Sequence, residues 1–197
     1  MDSHNQDFAE RQIVKGDNGS IGIFYNSGAN AYNSDFLEVV GPAMLAVLRD
    51  NRRVKLIVVG PLALSEEFAP FTSQIVHHDA MEKAEAYWSL LAHADINIAV
   101  SISDAMTDCK SEIEWLEAAV FEIPSIVSPT ATYREMLEDG EDVLMAVSNG
   151  DWRRALDRLV ESPELRRRVG AHARAKASAL YSIEAGAKSL QLSLIHI

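Results

Sequence analysis

A run of charged and polar residues around position 110 is the part of the sequence best suited to bind an anion. Lys110 and Ser111 precede a predicted helix, and Glu114 follows Ser111 by three residues, which is the spacing of a capping box. Such a helix start presents unpaired backbone N–H groups and the positive end of the helix dipole beside a lysine. The pattern therefore predicts a phosphate or carboxylate site.

Glu117 is the second chemically interesting residue of this helix. It lies about 9 Å along the helix axis from Ser111, at a rise of about 1.5 Å per residue, and apolar residues surround it in the sequence. On spacing alone, a solvated Lys110 and an ion-paired Glu117 are the alternative to a binding site.

Three further features of the sequence are less suited to binding or catalysis. His77 and His78 are adjacent on a predicted strand, so their side chains point to opposite faces and no joint metal site is expected. Cys109 lies beside Lys110, but there is no second cysteine and no histidine nearby in the sequence, so no catalytic nucleophile is predicted. Trp88 and Trp115 are predicted as core residues rather than base-stacking platforms.

Strands and helices alternate along the chain, which predicts the elements that position these residues. Short apolar runs between turn residues indicate strands at 21–25, 55–59, 74–77, 96–100, 124–127 and 143–146. Helical spacing of apolar residues indicates helices at about 33–50, 81–93, 111–121, 133–138, 151–161 and 163–180. This alternation predicts an α/β fold, with a parallel sheet covered by helices on both faces and ligands at the carboxyl ends of its strands. Periodicity alone does not separate a nucleotide-binding domain from a receiver-like or flavodoxin-like one.

Composition narrows the function classes. The 197 residues hold 29 acidic side chains against 18 lysines and arginines, a net charge of −11, which disfavours nucleic acid and anionic membrane surfaces as partners. No apolar run reaches the roughly 18 residues of a membrane span, and a single cysteine favours a reducing compartment, so we expect a cytoplasmic protein.

The two ends of the chain differ from the rest. Residues 1–19 form a polar lead-in, 20–181 the predicted domain, and 182–197 a tail. The last six residues, 192–197, look like the translation of a sequencing adapter and are left out of the fold prediction.

Several motifs, in order, resemble a known enzyme family. Residues 110–129 read KSEIEWLEAAVFEIPSIVSP, and Asp139-Gly140-Glu141 follows. This resembles the donor-binding domain of glycosyltransferase family 4, in particular a bacterial branch that reads KSELKWLEAALxGVPxVASP and then DGExGLL. Tyr25-x-Ser27-Gly28 and Asn33-x-Asp35-Phe36 are similar to that branch's YxSGTxTHNRDF. The resemblance covers roughly residues 21–179.

The resemblance implies one half of a GT-B enzyme, which is built of two Rossmann-like domains. This chain would be the half that binds a nucleoside diphosphate sugar as substrate, with no cofactor and no metal. The N-terminal domain, which holds the acceptor and supplies the usual base, would be missing, so catalytic residues are unknown and the fragment is expected to be inactive alone. The helix at 163–180 crosses to that domain in such enzymes, so its apolar face is expected to be exposed.

Site residues also follow from the resemblance. Lys110, the backbone of Ser111 and the Ser27-Gly28 loop would hold the pyrophosphate, and Glu117 would bind the ribose hydroxyls. Contacts to the sugar or base would come from His78, Asp108 and Cys109. The sequence departs from the family at four positions, where Cys109 replaces a glutamate, Glu114 a lysine, Ala29 a threonine and Tyr32 a histidine.

Two other functions remain open. A nucleotide-sugar epimerase on the same fold would share the ribose carboxylate. A receiver-like or regulatory binding module is the non-enzymatic alternative, but a receiver needs acidic residues after the first strand, where this chain has Tyr25 to Gly28.

Overall fold

The computed structural model describes residues 19–28, 35–81, 83–101 and 112–181. Six parallel strands form one sheet in the order β3-β2-β1-β4-β5-β6. The strands are β1 (Ile21–Asn26), β2 (Val54–Val59), β3 (Ile75–His78), β4 (Ile96–Ala99), β5 (Ser125–Val127) and β6 (Leu144–Met145). Every strand bound lies within about one residue of its prediction, because apolar runs between turn residues mark strands clearly.

Helices cover both faces of this sheet. They are α1 (Gly41–Asp50), α2 (Ala84–Ala92), α3 (Ile113–Val120), α4 (Ala131–Met136), α5 (Asn149–Glu161) and α6 (Pro163–Tyr181). A π-helical turn at Phe36–Val40 leads into α1, and a 3-10 helix at Glu66–Gln74 joins β2 to β3. The predicted Rossmann-like α/β fold is confirmed.

Alternate residues of β1 belong to two different cores. Ile23 and Tyr25 join the core that contains residues of α1 and α5, whereas Phe24 joins the core that contains residues of α2 and α3. All three are at most 6% exposed, which is the burial expected of a central parallel strand.

The strand register brings the carboxyl ends of three strands level. Asn26 of β1 pairs with Val59 of β2, and Val59 pairs with His78 of β3. The loops that follow these strands therefore begin side by side, which is where ligands of parallel sheets bind.

Four helical segments differ from the prediction. The helix predicted at about 133–138 lies at Ala131–Met136, and the helix predicted from 151 begins at Asn149. The 3-10 helix at Glu66–Gln74 was not predicted, because Pro70 and the polar residues around it conceal the two buried positions, Phe68 and Gln74. The second predicted helix begins at Ala84 rather than at Met81. The predicted cap of the first helix, Asn33 and Ser34, lies outside the described residues.

The expectation of an exposed face on the last helix is wrong for its described residues. Val169, Gly170, Ala173 and Ala177 of α6 are buried, and the two alanines share a core with residues of α3 and α4. Small side chains at helical spacing let α6 lie close to its own domain. Leu180 near its end is still 44% exposed.

Residues 1–18 of the predicted lead-in 1–19, and the whole predicted tail at 182–197, lie outside the described residues. Within those residues, no helix is both long enough and apolar enough to cross a membrane.

Candidate functional site

Hydrogen bonds fix the loop after β1 to the end of β2. Ser27 donates its backbone N–H to the Val59 carbonyl over 2.9 Å and its hydroxyl to the same oxygen over 3.1 Å. The Gly28 N–H donates to Asn26 Oδ1 over 3.0 Å. Gly28 has a φ of 70°, and a Cβ placed there would meet no atom within 4 Å. A ligand can therefore approach the Gly28 backbone closely.

Gly60 ties the loop after β2 to its neighbours. A Cβ at this position would lie 2.6 Å from Ser27 Oγ and 2.7 Å from the Gly28 carbonyl oxygen, so the close approach requires glycine. The Gly60 N–H donates to the His78 carbonyl over 3.0 Å, and His77 Nε2 lies 2.6 Å from the Gly60 oxygen. The starts of the loops after β1 and β2 and the end of β3 are therefore joined into one cluster.

His78 lies at the edge of this cluster. Its half-buried side chain shares a sheet face with Val76, and both residues line a groove of about 720 Å³ that extends to Gly22 at the amino end of β1. The ring that contacts the loop after β2 is that of His77. A role for His78 beside a nucleobase stays a prediction.

Glu117 is held by an aromatic side chain of α2. It is half-buried on α3, and its Oε1 accepts a hydrogen bond of 3.0 Å from Trp88 Nε1. No lysine, arginine or histidine of the described residues pairs with it. The ion-paired alternative considered for Glu117 is therefore absent from this part of the chain.

Tyr87 lies between Glu117 and the end of β1. Its hydroxyl accepts a long hydrogen bond of 3.5 Å from Asn26 Nδ2. Burial raises the pKa of the Tyr87 phenol well above its usual value, and the nearby carboxylates of Glu117 and Glu114 raise it further. The phenol therefore stays protonated at neutral pH.

Glu114 lies among three tyrosines. Burial is the main cause that raises the pKa values of Tyr25, Tyr87 and Tyr133, and Glu114 contributes to each shift. Glu114 also lines a cavity of about 190 Å³ at the carboxyl ends of β4 and β5, together with Ala99, Val100, Ser101, Ile113, Thr130 and Tyr133. A small polar pocket therefore adjoins the start of α3.

The predicted anion site itself is not described. Lys110 and Ser111 lie outside the described residues, as do Asp108 and Cys109, and so does the predicted capping box. The first described residue of this region, Glu112, occupies the N-cap of α3 without a side-chain capping bond. Its carboxylate accepts a hydrogen bond from Tyr181 of α6.

Metal ligands do not cluster in the described part of the chain. No group of three or more His, Cys, Asp or Glu side chains in it could hold an ion.

Sequence reasoning missed the partners of Glu117. Trp88 was predicted as core; the structure packs it partly against a core cluster and also gives its indole N–H a polar partner. Glu114 was noted only as a capping residue and as a departure from the family. Its spacing of three residues from Glu117 puts both on neighbouring parts of one helix face, and this signal was available.

Three solved structures share the fold. The C-terminal domain of a glycosyl transferase group 1 family protein, LpcC from Francisella tularensis, has a TM-score of 0.65 and 17% identity, over 92% of this chain and 95% of that one. HepE from Anabaena, solved with UDP-glucose, has a TM-score of 0.69 and 11% identity, and the match covers 100% of this chain and 54% of HepE. WaaG, a glycosyltransferase involved in lipopolysaccharide biosynthesis, has a TM-score of 0.63 and 16% identity, and the match covers 96% of this chain and 51% of WaaG.

These matches show a GT-B half-fold. The chain spans about half the length of HepE and WaaG but nearly all of the isolated LpcC domain. A comparison with curated protein sequences gives no match.

A family model described as "Glycosyl transferase-like" matches residues 42–191, which is well over half of the chain. The match begins at α1 and includes every described element from there to the end of α6. The chain therefore belongs to the glycosyl transferase-like family.

Proposed function

We propose that this chain is the donor-binding half of a glycosyltransferase that takes its sugar from a nucleoside diphosphate sugar. The observation that carries the proposal is the convergence of the Ser27-Gly28 loop and Glu117. Hydrogen bonds connect the Gly28 backbone to Asn26 and Asn26 to the Tyr87 hydroxyl. Tyr87 in turn lies near enough to Glu117 for that carboxylate to raise the pKa of its phenol.

The two groups suit the two ends of a nucleoside diphosphate. A glycine at positive φ with open space beside it lets a phosphate approach the loop backbone at close range. A carboxylate with no cationic partner among the described residues retains its capacity to accept hydrogen bonds from the adjacent hydroxyls of a ribose. The binding of UDP and UDP-glucose by HepE, a protein of the same half-fold, supports this assignment.

The remaining roles in the proposal belong to the start of the α3 region. Lys110 and the Ser111 backbone bind the pyrophosphate, and Asp108 or Cys109 contacts the sugar or base. Positive charge and the helix dipole stabilise the departing diphosphate, so transfer needs no divalent metal.

The proposal extends to the whole enzyme. It is a member of glycosyltransferase family 4, acts in the cytoplasm, and carries its acceptor site and catalytic base on a second Rossmann-like domain outside this chain. The coverage of only about half of HepE and WaaG supports a second domain.

Calorimetric titration of the purified chain with UDP, GDP and uridine tests the proposal. We expect one of the two diphosphates to bind at least about tenfold more tightly than its nucleoside, because only the diphosphate uses the helix start and the Gly28 loop. A folded chain that binds neither diphosphate at millimolar concentration contradicts the proposed function.

A further inference from the structure

The carboxylate of Glu117 is held in place by an aromatic residue of α2. Trp88 Nε1 donates to its Oε1 over 3.0 Å, and the neighbouring Tyr87 lies close enough for the carboxylate to raise the pKa of its phenol. The indole donor is neutral, and no cation of the described residues pairs with Glu117. A residue of one helix therefore holds an acidic side chain of the next.

This arrangement leaves the carboxylate available to a ligand. An ionised carboxylate offers about four acceptor positions, and the Trp88 indole occupies one of them. The others can accept hydrogen bonds from two adjacent hydroxyls. Because the side chain is already hydrogen-bonded, a ligand that binds it loses less affinity to ordering a flexible glutamate.

The same contacts reach the loop after β1. Asn26 accepts the Gly28 N–H through Oδ1 over 3.0 Å and contacts the Tyr87 hydroxyl through Nδ2 over 3.5 Å. Tyr87 therefore lies between the loop and Glu117. Trp88, the next residue of α2, donates to the carboxylate itself.

We propose that Trp88, assisted by Tyr87, is a positioning residue that orients Glu117 toward a ribose and so sets a preference for ribonucleotides over 2′-deoxyribonucleotides. The inference rests on the proposed function, since it concerns the same site. It assigns a polar role to an indole that is otherwise partly buried against the core cluster formed by residues of β1, α2 and α3. It affects the discrimination between ribose and 2′-deoxyribose, and it leaves phosphate binding unchanged.

The variant Trp88→Phe separates this role from packing, because phenylalanine keeps an aromatic ring and removes the N–H. The probes are whichever of UDP and GDP binds the wild-type chain more tightly, together with its 2′-deoxy form. We expect the wild-type chain to prefer the ribonucleotide by about tenfold, the value of one hydrogen bond to a charged group. Trp88→Phe should reduce this ratio to within about threefold while its affinity for the deoxynucleotide is unchanged.

Two further variants keep the test decisive. Tyr87→Phe removes the hydroxyl that lies between Asn26 and Glu117 and should also lower the ratio, so this variant tests the inference if Trp88→Phe does not fold. Trp152→Phe alters a buried tryptophan in the core on the other side of the sheet and should leave the ratio as in wild type. Circular dichroism establishes that each variant is folded.

The outcomes are distinct. A wild-type chain that binds no nucleotide contradicts the proposed function and this inference together. A chain that binds the diphosphate but shows equal ratios in wild type, Trp88→Phe and Tyr87→Phe overturns the positioning role alone. A purely structural Trp88 would weaken both nucleotides equally.

Discussion

Gly170 of α6 lies directly against the backbone of Glu122, so that a Cβ added to it would sit 1.9 Å from the Glu122 carbonyl oxygen. Glu122 follows α3 and has a φ of 57°, a left-handed conformation that is unusual for a residue with a side chain. The contact fixes α6 to the end of α3, the helix that carries Glu117.

A methyl group added at Gly170 should destabilise the fold. Gly170→Ala should lower the free energy of unfolding by about 1–3 kcal/mol, because backbone atoms must move to admit the methyl group. Urea unfolding measures the change. Gly150→Ala in α5 is the control, since a Cβ there meets its nearest atom at 3.5 Å; we expect it to be neutral or to stabilise by up to about 1 kcal/mol. Equal effects of the two changes would contradict this account.

Two fully buried tryptophans differ in one hydrogen bond. Trp115 Nε1 donates to the Asp142 carbonyl over 3.1 Å, whereas Trp152 Nε1 has no partner in the part of the chain that the structure describes. Trp115→Phe should therefore destabilise the protein by about 1–3 kcal/mol more than Trp152→Phe, because it leaves the buried Asp142 carbonyl without its hydrogen-bond donor. Chemical denaturation of the two variants gives the comparison, and similar losses would speak against it.

The capping box at the start of α5 makes stability depend on pH. Asp151 accepts hydrogen bonds from the Ser148 hydroxyl and backbone, and these bonds hold the pKa of its carboxyl below the usual value. Because the folded pKa is lower than the unfolded one, the contribution is present above the unfolded value, about 3.9, and is lost as the pH falls through the folded pKa. Asp151→Asn should remove this part of the acid dependence in melting curves recorded from pH 2 to 7; a variant with the same acid slope as wild type would refute it.

The variant Glu117→Gln tests the ribose site, because glutamine has nearly the same shape as glutamate. The variant should weaken UDP or GDP by about tenfold or more, since a neutral amide oxygen is a poorer acceptor than a carboxylate. Stability should change little. Glu161→Gln, an exposed position at the end of α5, is the matched control and should bind as wild type. Titration calorimetry gives both affinities, and equal weakening by the two changes would remove the special role of Glu117.

Lys110→Ala addresses the other end of the nucleotide. It should weaken UDP or GDP but barely alter the affinity for uridine or guanosine, because the nucleoside carries no phosphate for a cation to bind. The same titrations measure both ligands. A parallel loss of nucleoside binding would mean that Lys110 acts elsewhere.

The chain alone should not transfer sugar. The proposal places the base and acceptor site on another domain, so we expect no product from a nucleotide-sugar and any tested acceptor above the rate of spontaneous hydrolysis. Chromatography of the released nucleotide measures this. Turnover by the purified chain would show that the active site is complete within it.

The sequence predicted elements well where the pattern is local. All six strands were found because runs such as Val54–Val59 are apolar and end in turn residues. The helix at Glu66–Gln74 was missed, since its buried side chains are few and Pro70 interrupts it. Gly28 and Gly60 show what a local pattern cannot predict. A turn in the sequence indicates the backbone angle of a glycine, but it does not indicate which other loop the glycine contacts.

The candidate site was predicted in part for the same reason. Glu117 stood out as a charge in an apolar helix, yet its partners Trp88 and Tyr87 lie about 30 residues away in sequence and come together only in the fold. Trp88 looked apolar because its position in α2 follows a helical stripe. A pattern that scores hydrophobicity takes no account of its indole N–H, which can donate a hydrogen bond.

The unequal burial of the tryptophans also gives the chain an optical reporter. It has three, of which Trp115 and Trp152 are sealed in separate cores at 0% exposure, while Trp88 is half-buried and hydrogen-bonded to Glu117. Indole emission responds to the polarity and charge around the ring, so a ligand at Glu117 alters one emitter against a constant background from the other two. Binding can thus be followed by intrinsic fluorescence with no label, and Trp88→Phe removes the signal together with the contact.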